Sequence, residues 1–151
     1  MYKINKLLNN LESHIDQASR TSQTISESNV GWHIVHCCLV IDSVCAAVLK
    51  SDPSKFKKKF SIKAFFVLLV NAFPRGKAKA PSFTIPSHEL SNTAILQSIQ
   101  GSRKSIEALS NASKNQYFTH PIFGELNTKD TIKFLAVHTY HHEKIIKDIL
   151  K

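Results

Sequence analysis

Apolar residues recur at three- and four-residue spacing through most of this 151-residue chain, the pattern of helices buried along one face. Ile4, Leu7, Leu8, Leu11 and Ile15 mark a first helix over about residues 4–18. The polar stretch 19–28 interrupts it. Ser26 or Ser28 is the expected cap of a second helix that runs to Lys50 and is stopped by Asp52-Pro53. A third helix is expected from Ser54, as its cap, to the residue before Pro74; it is dense in Phe56, Phe60, Phe65, Phe66, Leu68, Leu69 and Phe73. Residues 74–86 read as an irregular connection with a short extended piece near 83–85. A fourth helix opens at Ser87 and runs to about Ala112. Residues 115–127 read as a loop around Pro121 and Gly124, and the fifth helix covers about 128–150. Asn127 or Thr128 caps that last helix, and Asp130 in its first turn suits the helix dipole.

Long periodic segments and only 4 Gly and 5 Pro argue for an all-α chain, not for many short strands. The expected architecture is one domain over residues 1–151, a four-helix bundle with the third helix as an accessory in the crossover. A chain this long buries a sizeable core without disulfides. Its three cysteines, Cys37, Cys38 and Cys45, lie in one apolar segment and form no C-x-x-C spacing. They read as reduced thiols of an intracellular protein. The N-terminus has no signal-peptide run, and the longest apolar run, 64–70, falls short of the roughly 20 residues of a membrane span. A cytoplasmic location is therefore expected.

The formal charge of +9 is local: residues 50–79 hold nine basic residues and one acid, Asp52. Lys57, Lys58 and Lys59 interleave with phenylalanines, and Arg75, Lys77 and Lys79 follow. A basic amphipathic segment of this kind suits an anionic membrane surface or nucleic acid. A solvated basic face over an ordinary core-packing face is the favoured explanation. The aromatic density also fits a homodimer interface.

The histidines carry the candidate chemistry. His138 and His142 stand one helical turn apart and share a face with Thr131, Phe134, Ile145 and Ile149, so both point inward. His141 lies on the flank of that face. His36 shares a second-helix face with Trp32, Val40, Ser43 and Ala47, and His33 lies at its edge. Inward histidines need partners. They are either hydrogen-bonded core residues or the ligands of a divalent metal, and a three-histidine set with an open position belongs to catalytic metal sites. His142-Glu143 is not followed by the second histidine of a zincin motif.

Trp32-His33-Ile34-Val35-His36, the doubled pair His138-Thr139-Tyr140-His141-His142, and the turn His120-Pro121-Ile122-Phe123-Gly124 occur in an order that resembles the DinB-like superfamily, which includes the YfiT-like proteins. The "H-P-x-F-G" turn is similar to that of an uncharacterised branch. The resemblance implies a four-helix bundle with a three-histidine metal site, zinc or nickel, on His36, His138 and His142. It also implies a homodimer, and either a transferase that joins a low-molecular-weight thiol to a small-molecule electrophile or a metal-dependent hydrolase. Trp32, His33, His120, Tyr140 and His141 are the candidate site-lining residues, with Tyr140 or His141 as assistants to the chemistry; for His120 a structural role in its loop is favoured over lining the site, and His14 and His88 read as surface residues. The competing expectation is a non-catalytic binding or stress protein that uses the basic helix at 54–79 on an anionic surface, nucleic acid or a partner protein.

Overall fold

The computed structural model describes residues 2–57, 81–86 and 91–151. Among these, four long helices appear: α1 (Tyr2–Glu12), α2 (Val30–Lys50), α3 (Asn92–Ser110) and α4 (Thr128–Ile149). α2 packs on α3 and α4, and α1 packs on the same two helices. α1 and α2 therefore stand at opposite corners of the bundle.

The core forms where the helical periodicity puts it. α1 contributes Ile4, Leu7, Leu8 and Leu11; α2 contributes Ile34, Cys37, Cys38, Ile41, Val44, Cys45 and Val48. α3 adds Ile95, Ile99, Ile106 and Leu109, and α4 adds Phe134, Leu135, Ile145, Ile146 and Ile149. By length and composition alone α2 is apolar enough to cross a bilayer. Most of its apolar side chains are instead buried in this core, between two neighbouring helices, and Ala46, Ala47 and Leu49 at its C-terminal end are exposed.

Several boundaries differ from the sequence expectation, each for a local reason. α1 ends at Glu12; a single 3-10 turn at Ile15–Gln17 follows, where Ser13 Oγ donates back to the Asn10 carbonyl. Half-buried His14 precedes that turn and is not the surface residue expected. The cap of α2 is Asn29, not Ser26 or Ser28: its side chain accepts from the Trp32 N–H at 2.7 Å. Asp52, not Ser54, caps the short turn Pro53–Lys55, accepting from the Ser54 N–H at 3.0 Å. The expected third helix otherwise lies outside the described residues. Residues 83–85 contribute to a 3-10 turn at Ser82–Thr84 more than to an extended piece. α3 starts at Asn92 under the Ser91 cap.

The expected loop at 115–127 contains an antiparallel hairpin, β1 (Tyr117–His120) and β2 (Gly124–Asn127), with Tyr117 opposite Asn127 and His120 opposite Gly124. Aromatic and β-branched residues in β1 favour extended backbone. Gly124 takes φ 73°, a left-handed value suited to glycine, and so closes the turn. Asn127 then caps α4 by accepting from the Asp130 N–H at 2.9 Å, which sets the phase of the histidine helix.

Candidate metal centre

His36 lies in the second turn of α2, and His138 and His142 lie one turn apart on α4, the neighbouring helix. One ring nitrogen from each comes within 4.8 Å of the others. The ring centres are 5.1 Å apart for His36–His138 and 4.7 Å for both His36–His142 and His138–His142. A metal about 2.1 Å from each nitrogen lies about 3.2 Å from each ring centre, so angles of about 90–110° at the metal set the centres about 4.5–5.3 Å apart. The three rings fit that requirement.

Two of the three are oriented by other groups. The Nδ1–H of His36 donates to the Thr84 carbonyl at 2.7 Å, which makes Nε2 the nitrogen available to a metal. Thr84 is itself buried and fixed, because its hydroxyl donates to the Pro81 carbonyl at 2.8 Å. The Trp32 ring stacks on His36 at 4.9 Å with 11° between planes, covering one face of the imidazole. His142 Nδ1 lies 2.9 Å from Nδ1 of His33, so its Nδ1 is engaged by a second imidazole. His33 Nε2 lies 3.0 Å from Ser26 Oγ.

The electrostatics favour neutral rings. Burial, reinforced by neighbouring histidines, pushes His138 down to about 3 and His33 to about 4, and holds His142 well below the usual range. Burial lowers His36 too, although its bond to Thr84 opposes the shift. Neutral imidazole is the ligand form, so at pH 7 these rings need lose no proton to bind.

The remaining expected site residues distribute unevenly. His33 is buried at 3% exposure and bonded, not at the edge of the face. His141 packs edge-on to His142 at 5.2 Å. His120 sits at the hairpin turn, where its Nδ1 accepts from the N–H groups of Ile122 and Phe123 and its ring stacks on Phe123 at 4.2 Å. Burial lowers it to about 4. Its ring also packs on Phe134, which lies one turn before His138. Tyr140 instead faces α1, with the Lys3 ammonium 5.9 Å from its ring centre, because it lies on the other side of α4 from His138 and His142. Ala47, expected on the His36 face, is exposed, since the buried face of α2 shifts to Val44 and Val48 at that end.

Lys57 is exposed, and its backbone N–H donates to Glu125 Oε2 at 2.6 Å. Lys58, Lys59, Arg75, Lys77, Lys79 and His88 lie outside the described residues. Sequence reasoning did not find Thr84, Ser26 or Glu143. The first acts through its carbonyl and carries no side-chain signal. Ser26 reads in the sequence as a helix cap. Glu143 is 2% exposed and turned toward α1, where Asn10 Nδ2 donates to its Oε1 at 2.8 Å and Lys147 Nζ lies 2.6 Å away. Its i−4 and i+3 neighbours Thr139 and Ile146, both buried, were the available clue to an inward position.

Compared with known families, residues 4–146 match the model of the DinB superfamily, and the chain belongs to that superfamily. No curated protein and no solved structure matches it.

Proposed function

We propose that this member of the DinB superfamily is a metal-dependent enzyme whose divalent ion, zinc or nickel, is held by His36, His138 and His142. The observation that supports this most is the convergence of three neutral imidazoles, two of them with Nδ1 hydrogen-bonded to a partner. When bound, such an ion with an open coordination position would lower the pKa of coordinated water to about 7 and hold a coordinated thiol as its thiolate.

Of the two reactions, thiol transfer to a small electrophile fits these residues better than hydrolysis. Hydrolysis draws on a general acid or base beside the metal to pass a proton to the leaving group, even where the ion supplies the hydroxide. The buried carboxylate nearest in sequence, Glu143, is held by Asn10 and Lys147 on the other side of α4. A coordinated thiolate is already a nucleophile and needs no such base. The thiol comes from a low-molecular-weight substrate, because Cys37, Cys38 and Cys45 are all buried. Burial pushes Cys38 and Cys45 up to about 12, far from thiolate formation. The chain's own part is to orient the rings through Thr84, to shield His36 with Trp32, and to close one side with the His120–Phe123–Phe134 cluster.

The test is elemental analysis of tag-free protein beside the His138→Ala/His142→Ala variant. Near-stoichiometric zinc or nickel in the parent, absent from the folded variant, is the expected result. The loaded parent then conjugates a small thiol to an electrophile faster than it hydrolyses esters or amides. A parent that takes up no divalent ion overturns the reading, and the basic segment at 54–79 becomes the lead, to be followed by salt-dependent binding to anionic partners.

A further inference from the structure

His33 was the least explained of the buried histidines. It is nearly inaccessible, three residues before His36, and it touches one ligand of the proposed centre without belonging to the ligand set. Its two ring nitrogens both have partners: Nδ1 meets Nδ1 of His142 at 2.9 Å, and Nε2 meets Ser26 Oγ at 3.0 Å. Two nitrogens that close share one proton, so one ring donates and the other accepts.

The two arrangements have opposite consequences. If His33 donates, His142 accepts at Nδ1, keeps its own proton on Nε2 and cannot bind a metal there. If His142 donates, His33 accepts at Nδ1, carries its proton on Nε2 and passes it to Ser26 as a hydrogen bond. Only the second leaves a lone pair on His142 Nε2. Ser26 Oγ is held in place by accepting the Ser28 N–H at 3.1 Å, and its second lone pair can accept the His33 Nε2–H that the second arrangement requires. An isolated bridge between Ser22 and Ser26 braces the same turn.

We infer that His33 is a positioning residue for the metal centre: it accepts the Nδ1–H of His142, is held by Ser26, and so presents His142 Nε2 to the ion. The inference rests on the metal reading above. It makes the two anchored ligands alike in form and different in kind, one held by a backbone carbonyl and the other by a second imidazole. A carbonyl only accepts. An imidazole can do either, and so can the serine hydroxyl behind it, so the pair adopts whichever direction the ion's need for the His142 Nε2 lone pair selects. The centre thus extends from α4 through α2 into the 19–28 connection, which otherwise has no part in it.

The experiment uses the full chain and zinc. His33→Leu removes the acceptor and keeps an apolar filler; His33→Asn places an amide oxygen near the former Nδ1. Zinc affinity is read by competition with a chromogenic chelator, and ring tautomers by nitrogen-15 spectra of the zinc-free proteins. The parent is expected to hold His142 as the Nδ1–H tautomer. The leucine variant loses that preference and binds zinc about 10–100-fold more weakly, whereas the asparagine variant recovers most of the affinity and the tautomer. A folded His33→Leu with parental affinity overturns the assignment. So does a parent with the proton of His142 on Nε2. Equal loss in both variants assigns His33 to packing alone and overturns it as well. Should the leucine variant not fold, the asparagine variant and the parent spectra decide. A parent that binds no zinc overturns the metal reading instead, and the tautomer spectra still decide the role of His33.

Discussion

His142 and Glu143 are consecutive residues of α4, and both place polar groups inside the bundle, yet they build opposite kinds of site. Glu143 faces α1. Its carboxylate meets the Asn10 amide and the Lys147 ammonium, a set in which charge and hydrogen bonds are supplied within the fold. His142 faces α2, where its neighbours are His33, His36 and His138, neutral rings of like kind. Such rings bring lone pairs together and no opposite charge. The Glu143 side reads as a tie between helices and the His142 side as a receptacle. The difference lies in what the partners can offer, not in burial.

The largest expected effect separates the two sides by metal. Zinc at about a thousandfold above its Kd stabilises a protein that binds it only when folded by about 4 kcal/mol. In a chain of this size that raises Tm by about 8–16 °C. The parent is expected to show such a shift in a thermal scan, and His138→Ala/His142→Ala none; a shift in both breaks the distinction. Next comes the tie. Glu143→Ala strands the Asn10 amide and loses the packing of a buried side chain, at about 2–3 kcal/mol in chemical denaturation. Its metal content should equal the parent's. Loss of metal in that variant shows that the two sides are one site.

Protonation tests the neutral character of the receptacle. His33 and His120 are lowered to about 4 and His138 to about 3, whereas unfolded histidine titrates near 6.5. Below pH 6.5 the unfolded chain therefore binds more protons than the folded one, and stability falls as pH falls. The metal-free parent should keep its full stability above pH 6.5 and lose it steadily toward pH 4. The double histidine variant should have a shallower slope over that window, and equal slopes would show that the ring cluster is not the cause. The smallest effect belongs to Thr84→Val. It removes the hydroxyl that fixes the carbonyl partner of His36, at about 1 kcal/mol or less in stability. A loss of zinc affinity of only a few-fold is expected, measured by the same chelator competition.

The helices were legible because burial and periodicity are one signal. Ile4, Leu7, Leu8 and Leu11, or Phe134, Ile145 and Ile149, state which face is inside before any contact is known. His36, His138 and His142 were legible for the same reason, being polar residues in phase with apolar stripes. The hairpin at 117–127 was not. Four-residue strands are too short for a period to declare itself, and Pro121 and Gly124 read as a loop until pairing is seen. The cap of α2 is Asn29, one residue beyond Ser28 and three beyond Ser26, the two serines that the sequence suggests. Nor could the sequence separate His33 at the edge from His33 bonded to His142, because the partners are 109 residues apart. Thr84 was invisible altogether, since a backbone carbonyl has no residue type.

That separation has a consequence for how the chain assembles. The contact between His33 and His142 closes 109 residues, and the bond from His36 to Thr84 closes 48. Both are non-local contacts, which form only after considerable chain entropy has been lost. Bound metal would join the second helix to the last as a removable cross-link. A permanent link over a span of about 100 residues is worth about 4.7 kcal/mol through the unfolded state alone. Depleting the ion would therefore act first on the seam between α2 and α4, whose amides should exchange hydrogen faster while those between α2 and α3 keep their protection.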